Sequence, residues 1–253
     1  MTDKYPYLDV EFPIAFAHRG GALDAPENSI AAFQSAIDLG YKYLETDVHL
    51  TLDGYVIAFH DDVLDRVTNM EGKISETPYS ELKKALIEGK AEIPLLENLL
   101  AAFPKANFNI DPKDDRVAEP LAHLIKKTAS SDRICVTSFS DKRTQLVSRL
   151  VGKDLCTGVG PSGVTRLRLG KFTNNQSVLR GQCVQVPVDV KGIPLITEVF
   201  IDRVHSMNKV IHAWTINEPE EMHRLLDLGI DGIMTDRPQV LKNVLIARNE
   251  WRQ

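Results

Sequence analysis

Glu45 and Asp47 stand two residues apart in the run Tyr43 to Val48, and the two-residue period of a strand points both carboxylates to one face. Two acids on one face make a cation site or a salt-bridge anchor, but for an isolated E-x-D a solvated strand face is the more common explanation. The next residues of the chain shift that balance. Asp53-Gly54 has the signature of a two-residue type I′ turn, and the β-rich run Tyr55 to His60 comes directly after it. With that turn, residue 52 faces 55, 50 faces 57 and 47 faces 60, so His60 shares a face with Asp47 and lies one diagonal step from Glu45. A second imidazole beside a guanidinium, His18-Arg19, ends another apolar run, Ile14 to Ala17. The result is a patch of paired carboxylates with groups that titrate near neutrality.

Such a patch needs a scaffold that brings separate strands to one end. Eight short β-rich runs recur: Ile14 to Ala17, Tyr43 to Val48, Asn107 to Ile110, Ile134 to Val136, Leu155 to Val159, Val184 to Val186, Val210 to Trp214 and Gly232 to Met234. Amphipathic helical patterns alternate with them, among them Ile30 to Leu39, Val117 to Lys127, Lys142 to Leu150, Glu198 to Met207 and Pro219 to Leu228. The alternation implies parallel pairing with right-handed crossovers. A doubly wound sheet gives the same pattern, but Arg19-Gly20-Gly21 lacks G-x-G-x-x-G spacing, and eight strands in 253 residues suit a single TIM-type (β/α)₈ barrel, residues 1–253. The β-hairpin extends strand two, and residues 61–92 read as a small insertion after it. Polar residues collect where barrel strands end: Asp111 and Lys113 after strand three, Ser138 after four, Asn217 after seven and Thr235-Asp236 after eight.

Bulk composition narrows the classes. A formal charge of −5 argues against a nucleic-acid partner or attraction to anionic lipid. No apolar stretch approaches the roughly 18 residues of a membrane span, so integral membrane contact is not expected. The N-terminal region, with Asp9, Glu11, Pro6 and Pro13, lacks a signal-peptide core, and Cys135, Cys156 and Cys183 are widely spaced, as in reduced thiols of a cytoplasmic protein.

The strings Ala17-His18-Arg19-Gly20-Gly21, Pro26-Glu27-Asn28-Ser29, Glu45-Thr46-Asp47, His60-Asp61, Trp214-Thr215-Ile216-Asn217 and Thr235-Asp236-Arg237-Pro238 occur in order from about residue 14 to 245. Together they resemble the glycerophosphodiester phosphodiesterase family. The resemblance implies His18 and His60 as the catalytic pair, Glu45 and Asp47 as ligands of a divalent ion, Mg²⁺ or Ca²⁺, and Arg19 as a phosphate contact. The family's further glutamate, in an E-x-K pattern, corresponds here to Asp111-Pro112-Lys113, which implies Asp111 as third ligand on a shorter arm and Lys113 as a second phosphate contact. The implied reaction is hydrolysis of a small-molecule glycerophosphodiester to glycerol 3-phosphate and an alcohol, the metal offsetting charge on phosphate oxygens while one histidine activates the nucleophile and the other protonates the leaving alkoxide. Lysophospholipase D-like hydrolysis is the alternative, with Phe172, Leu179, Val199 and Phe200 as an acyl groove; a non-catalytic phosphate-binding barrel is a more distant one, since no histidine or acid is missing.

Other polar residues carry plainer readings. His49 is a packing histidine near Asp47, and His123, His205, His212 and His223 belong to helices, a strand or the surface. Trp214 suits the barrel core or the substrate pocket. Asn217 and Asp236 are read as helix caps and Glu27-Asn28-Ser29 as the cap of the Ile30 helix, with Glu27 close enough to support the site.

Overall fold

A computed structural model describes residues 5–170 and 179–252; Phe172 of the expected acyl groove lies outside the described residues. In chain order the elements are β1 (Ile14–His18), α1 (Ile30–Asp38), β2 (Tyr43–Leu50), β3 (Val56–Ala58), α2 (Tyr79–Leu82), β4 (Leu86–Ile87), β5 (Ala91–Glu92), α3 (Leu96–Ala102) and β6 (Asn107–Pro112). Next come α4 (Ala118–Lys127), β7 (Ile134–Val136), α5 (Asp141–Val151), β8 (Cys156–Thr157), α6 (Pro161–Leu169), β9 (Cys183–Val186), β10 (Asp189–Val190) and β11 (Ile193–Pro194). The chain ends with α7 (Glu198–Ser206), β12 (Val210–Ala213), α8 (Pro219–Asp227), β13 (Gly232–Thr235) and α9 (Pro238–Ala247).

The parallel strands run in the order β8-β7-β6-β2-β1-β13-β12-β9. Their two edges meet at a single parallel bridge, Gly158 to Cys183, where Val159 N–H donates to the Cys183 carbonyl at 2.7 Å and Gln182 N–H to that of Thr157 at 2.8 Å. The (β/α)₈ barrel expected from the alternation is therefore present, with each strand centred on its anticipated run. The period of two sorts its side chains. Ala15, Ala17, Leu44, Phe108, Val184 and Ile211 face outward into one core shared with the helices, whereas Phe16, Tyr43, Cys135, Cys183, Val210 and Met234 form a second core inside the barrel. Tyr7 and Leu8 close that inner core at the N-terminal ends of the strands, with the Tyr43 hydroxyl donating to the Tyr7 carbonyl at 2.5 Å.

The hairpin register differs from expectation by one residue. Val48 pairs Ala58, His49 pairs Ile57 and Leu50 pairs Val56, so the residue opposite Asp47 is Phe59, whose N–H donates to the Asp47 carbonyl at 2.9 Å, and not His60. The cause is a three-residue loop. Only Gly54 of the Asp53-Gly54 pair takes a positive φ, +86°, whereas a type I′ turn needs it at both. Thr51 and Tyr55 close the loop, and the Thr51 hydroxyl is bound to Asp53 at 2.6 Å while accepting from Tyr55 N at 2.9 Å. Beyond β3 the chain builds α2 and the β4–β5 pair around a separate cluster containing Ile57, Phe59, Leu64, Ile74, Leu82 and Ile93.

Two glycines with positive φ predict different sensitivities. A Cβ at Gly54 meets nothing within 4 Å, so Gly54→Ala costs only left-handed strain, about 1–2 kcal/mol. At Gly181, φ +100°, a Cβ would lie 2.5 Å from the Gly158 carbonyl oxygen at the barrel seam, and Gly181→Ala should cost on the order of 3 kcal/mol or more. Urea unfolding of both variants checks this; equal midpoints would contradict the tight seam.

Candidate active site

Strand pairing brings the anticipated residues to one level. On β1, β2 and β6, His18 is in register with Glu45, and Asp47 with Asp111. All point inward by parity, and a cavity of about 360 Å³ above them is lined by His18, Arg19, Glu45, Asp47, His60, Asp111, Lys113 and Trp214 among others. Pro112 sits within β6 without disrupting it, because β7 pairs no further than Ile110 and no neighbour needs the missing N–H. His60 reaches the cavity although it has no strand partner. The His49 imidazole Nε2–H donates to the His60 carbonyl at 2.9 Å, so His49 anchors the segment that presents the other histidine.

Each histidine of the cavity is held by a carboxylate through Nδ1. His18 Nδ1 lies 2.6 Å from Asp236 Oδ1, and His60 Nδ1 lies 2.5 Å from Asp61 Oδ1. Asp236 caps neither neighbouring helix, contrary to expectation. Instead Asn217 Nδ2 donates to Asp236 Oδ2 at 2.9 Å, and Asn217 Oδ1 accepts from the Asp236 N–H at 2.9 Å, so these two residues form a brace for His18. Asp61 is matched by Arg66, whose Nε is 2.6 Å from Oδ2, and Arg66 also binds Glu27 at 2.8 Å. Within Glu27-Asn28-Ser29 only Ser29 acts as the helix cap, accepting from Ala32 N at 3.1 Å; Glu27 pairs with Arg19 at 3.2 Å and Asn28 accepts from the Thr46 hydroxyl.

The buried carboxylates are crowded. Burial, together with the charge of Asp47, pushes Glu45 up to about 7, and burial and Asp47 raise Asp111 to about 6 despite Lys113 beside it. Asp47 resists the same burial because Lys113, Arg19 and His60 surround it, and its carboxyl is held below the usual range. Lys113 Nζ is 2.9 Å from Asp47 Oδ1 and 3.2 Å from Asp111 Oδ2, while Arg19 N–H donates to Glu45 at 3.1 Å. Arg19 Nε also comes within 3.1 Å of Asp47 Oδ2, yet the N–H is misaligned and both atoms are buried without a hydrogen bond. For His18, burial favours the neutral ring but Glu45 and Asp236 outweigh it, raising its pKa; for His60 burial wins and the pKa is lowered.

Sequence reasoning missed Asp236, Asn217 and Asp61 as supports. Parity could have found the first: β13 pairs β1 with Ala17 opposite Thr235, so the next residues, His18 and Asp236, are neighbours. The expected acyl groove is also displaced. Phe200 is wholly buried in the outer core and Val199 is 57 % exposed, and neither they nor Leu179 lines the cavity. Its apolar wall comes from Phe139, Val159, Val164, Val190, Leu195 and Trp214, with Phe139 and Trp214 edge-to-face at 5.6 Å.

A (β/α)₈ barrel carries histidines, carboxylates and two cations at its C-terminal mouth, where sites of this fold are built, and residues 18–240 match the glycerophosphoryl diester phosphodiesterase family. The chain belongs to that family and is an enzyme of its phosphodiesterase class. It is similar to a probable glycerophosphodiester phosphodiesterase of Mycobacterium tuberculosis, 37% identical with 94% of this chain and 92% of the relative covered. A human lysophospholipase D is 27% identical over 90% of this chain and 85% of its own length. Among solved structures, an Oleispira antarctica phosphodiesterase in complex with sn-glycerol-3-phosphate superposes with a TM-score of 0.81 at 22% identity, covering 93% of this chain and 97% of that one.

The brace makes a local prediction. Asp236→Asn removes a carboxylate from His18 Nδ1, so the His18 pKa should fall below its wild-type value while that of His60 holds. NMR titration of the two imidazoles reads both; an unmoved His18 would remove Asp236 from the site's electrostatics.

Proposed function

We propose that the protein hydrolyses glycerophosphodiesters to sn-glycerol 3-phosphate and an alcohol, with His18 as proton donor to the leaving alkoxide and His60 as proton acceptor from the nucleophile. The observation that carries this reading is the pair of Nδ1-anchored histidines around one carboxylate cluster. Their supports are unequal: Asp61 is ion-paired to Arg66, whereas the hydrogen bond to Asp236 besides that of His18 comes from the neutral Asn217 amide, so His18 is better able to hold a proton and His60 to accept one. Arg19 offers a fork of donors for phosphate oxygens and Lys113 a point charge beside it. The product bound by the Oleispira relative accords with the same chemistry.

Glu45, Asp47 and Asp111 would hold a divalent ion. The donor set fits a hard cation: three buried carboxylates, two with raised pKa values, and an Asp47 Oδ2 that receives no hydrogen bond. When bound, Mg²⁺ or Ca²⁺ supplies positive charge against the non-bridging oxygens of the phosphodiester. Arg19 and Lys113 keep Asp47 ionised for that role. The free, buried thiols accord with a cytoplasmic setting, and no helix among the described residues is long and apolar enough to cross a membrane.

A second reading, hydrolysis of lysophospholipids, is favoured by the apolar side of the cavity, where Phe139 is 69 % and Val190 51 % exposed at the rim. Paired assays of glycerophosphocholine and lysophosphatidylcholine separate the two.

Removing either histidine should lower kcat by roughly 10²–10⁴-fold, and EDTA should abolish turnover until Mg²⁺ or Ca²⁺ is restored. The pH–rate profile should be bell-shaped, rising as His60 loses its proton below the ordinary histidine value and falling as His18 loses its own above it. Wild-type turnover in a His18→Ala, His60→Ala double variant, or indifference to EDTA, would overturn the proposal.

A further inference from the structure

Beneath the cavity, one inward-facing layer below Thr137, Gly158 and Gln185 of its lining, three cysteines converge that the phosphodiester chemistry does not use. Cys135 on β7, Cys156 on β8 and Cys183 on β9 come from neighbouring strands and are wholly buried inside the barrel. The Cys183 sulfur lies 3.6 Å from that of Cys156 and 3.9 Å from that of Cys135, and all three lie within 4.8 Å of one another. An ion held by three sulfurs at about 2.3 Å in a plane spaces them about 4.0 Å apart. The triangle is thus the size of a three-thiolate site with no rearrangement of the strands.

Two further groups point to sulfurs held as thiolates. The Tyr7 hydroxyl and His212 Nε2 are buried with no hydrogen-bond partner among the described residues. Gln185 Nε2 donates to His212 Nδ1 at 3.2 Å, so the ring proton sits on Nε2 as an unanswered N–H. Both groups lie in the electrostatic reach of the thiols, Tyr7 of all three and His212 of Cys183. A buried O–H and N–H beside neutral thiols find only weak acceptors; beside thiolates they find strong ones. Lys209, held by the Gly181 carbonyl, adds a positive charge near Cys183.

We propose that Cys135, Cys156 and Cys183 bind one soft d¹⁰ metal ion inside the barrel, with Tyr7 and His212 donating hydrogen bonds to the thiolate shell. Three sulfurs with no fourth ligand atom in the same cluster among the described residues favour copper(I), since thiolates select copper(I) and zinc but structural zinc takes four ligands. Each S–H replaced by an S–Cu bond releases its proton to solvent, and copper enters and remains as copper(I), so no electron is transferred. This centre is separate from the carboxylate cluster, whose oxygen donors suit a hard cation.

The test uses the full chain, produced in copper-supplemented and in zinc-supplemented cultures and dialysed against EDTA under anaerobic, reducing conditions to strip oxygen-ligated ions. The expected result is about one copper per chain with thiolate-to-copper charge-transfer absorption. In Cys156→Ser, metal content should fall at least ~10-fold, as expected for loss of a direct ligand, with far-UV circular dichroism unchanged. Retention of zinc instead, dependent on the cysteines, would overturn the three-coordinate copper assignment while leaving the thiol site standing. Should Cys156→Ser misfold, a mercurial titration of folded wild type decides: stoichiometric metal release on modifying three thiols supports the site. Wild type that retains neither metal above background, or metal that resists the mercurial, overturns it.

Discussion

Three carboxylates buried side by side cannot all stay charged without help, and that constraint organises the mouth of this barrel. Glu45, Asp47 and Asp111 meet there because β1, β2 and β6 are in register, with partners on adjacent strands at one height. Arg19 and Lys113 are drawn in around Asp47, the most tightly surrounded of the three. Glu45 and Asp111 remain less well compensated, which leaves the cluster short of positive charge. Around the cluster, Asp61, Arg66, Glu27 and Arg19 pair one after another in a chain whose charges alternate in sign.

That chain of ion pairs sets distances between elements that are far apart in sequence. Glu27 after β1 and Arg66 after β3 meet at 2.8 Å, so the loop bearing Arg19 and the segment bearing His60 are tied to each other as well as to the barrel. His49 adds a second tie, from β2 to the His60 backbone. A segment without strand partners can therefore hold an imidazole in place, and the binding groups need not all sit on strands to be rigid.

Most of the architecture is legible in the order of the residues. Alternating apolar runs locate all eight barrel strands, and the parity within them sorts inner from outer side chains. The hairpin shows where that reasoning ends. Asp53-Gly54 admits two loop lengths, and the choice depends on the Thr51 hydroxyl reaching Asp53 and Tyr55, a contact that turn statistics do not carry. His60 reaches the cavity all the same, because the chain leaves β3 at Ala58 and its position is decided by His49 and Asp61. Asp236 was hidden for a different reason. A polar residue ahead of Pro238 has the look of a helix cap, and only the pairing of β13 with β1 makes it the neighbour of His18. The apolar wall of the cavity comes largely from loops after strands, where no periodicity announces which side chains turn inward.

The barrel is not equally strong around its circumference. β2 and β6 share a six-residue register, whereas β8 is two residues long and meets β9 through one bridge. Few hydrogen bonds need break there for the wall to part, so thermal breathing of the native state should concentrate along the line from Gly158 to Cys183. The opposite arc, which carries the carboxylates and both histidines, can stay stationary while it happens. This uneven stitching leaves the carboxylates and their histidine neighbours fastened to the firmer side of the wall.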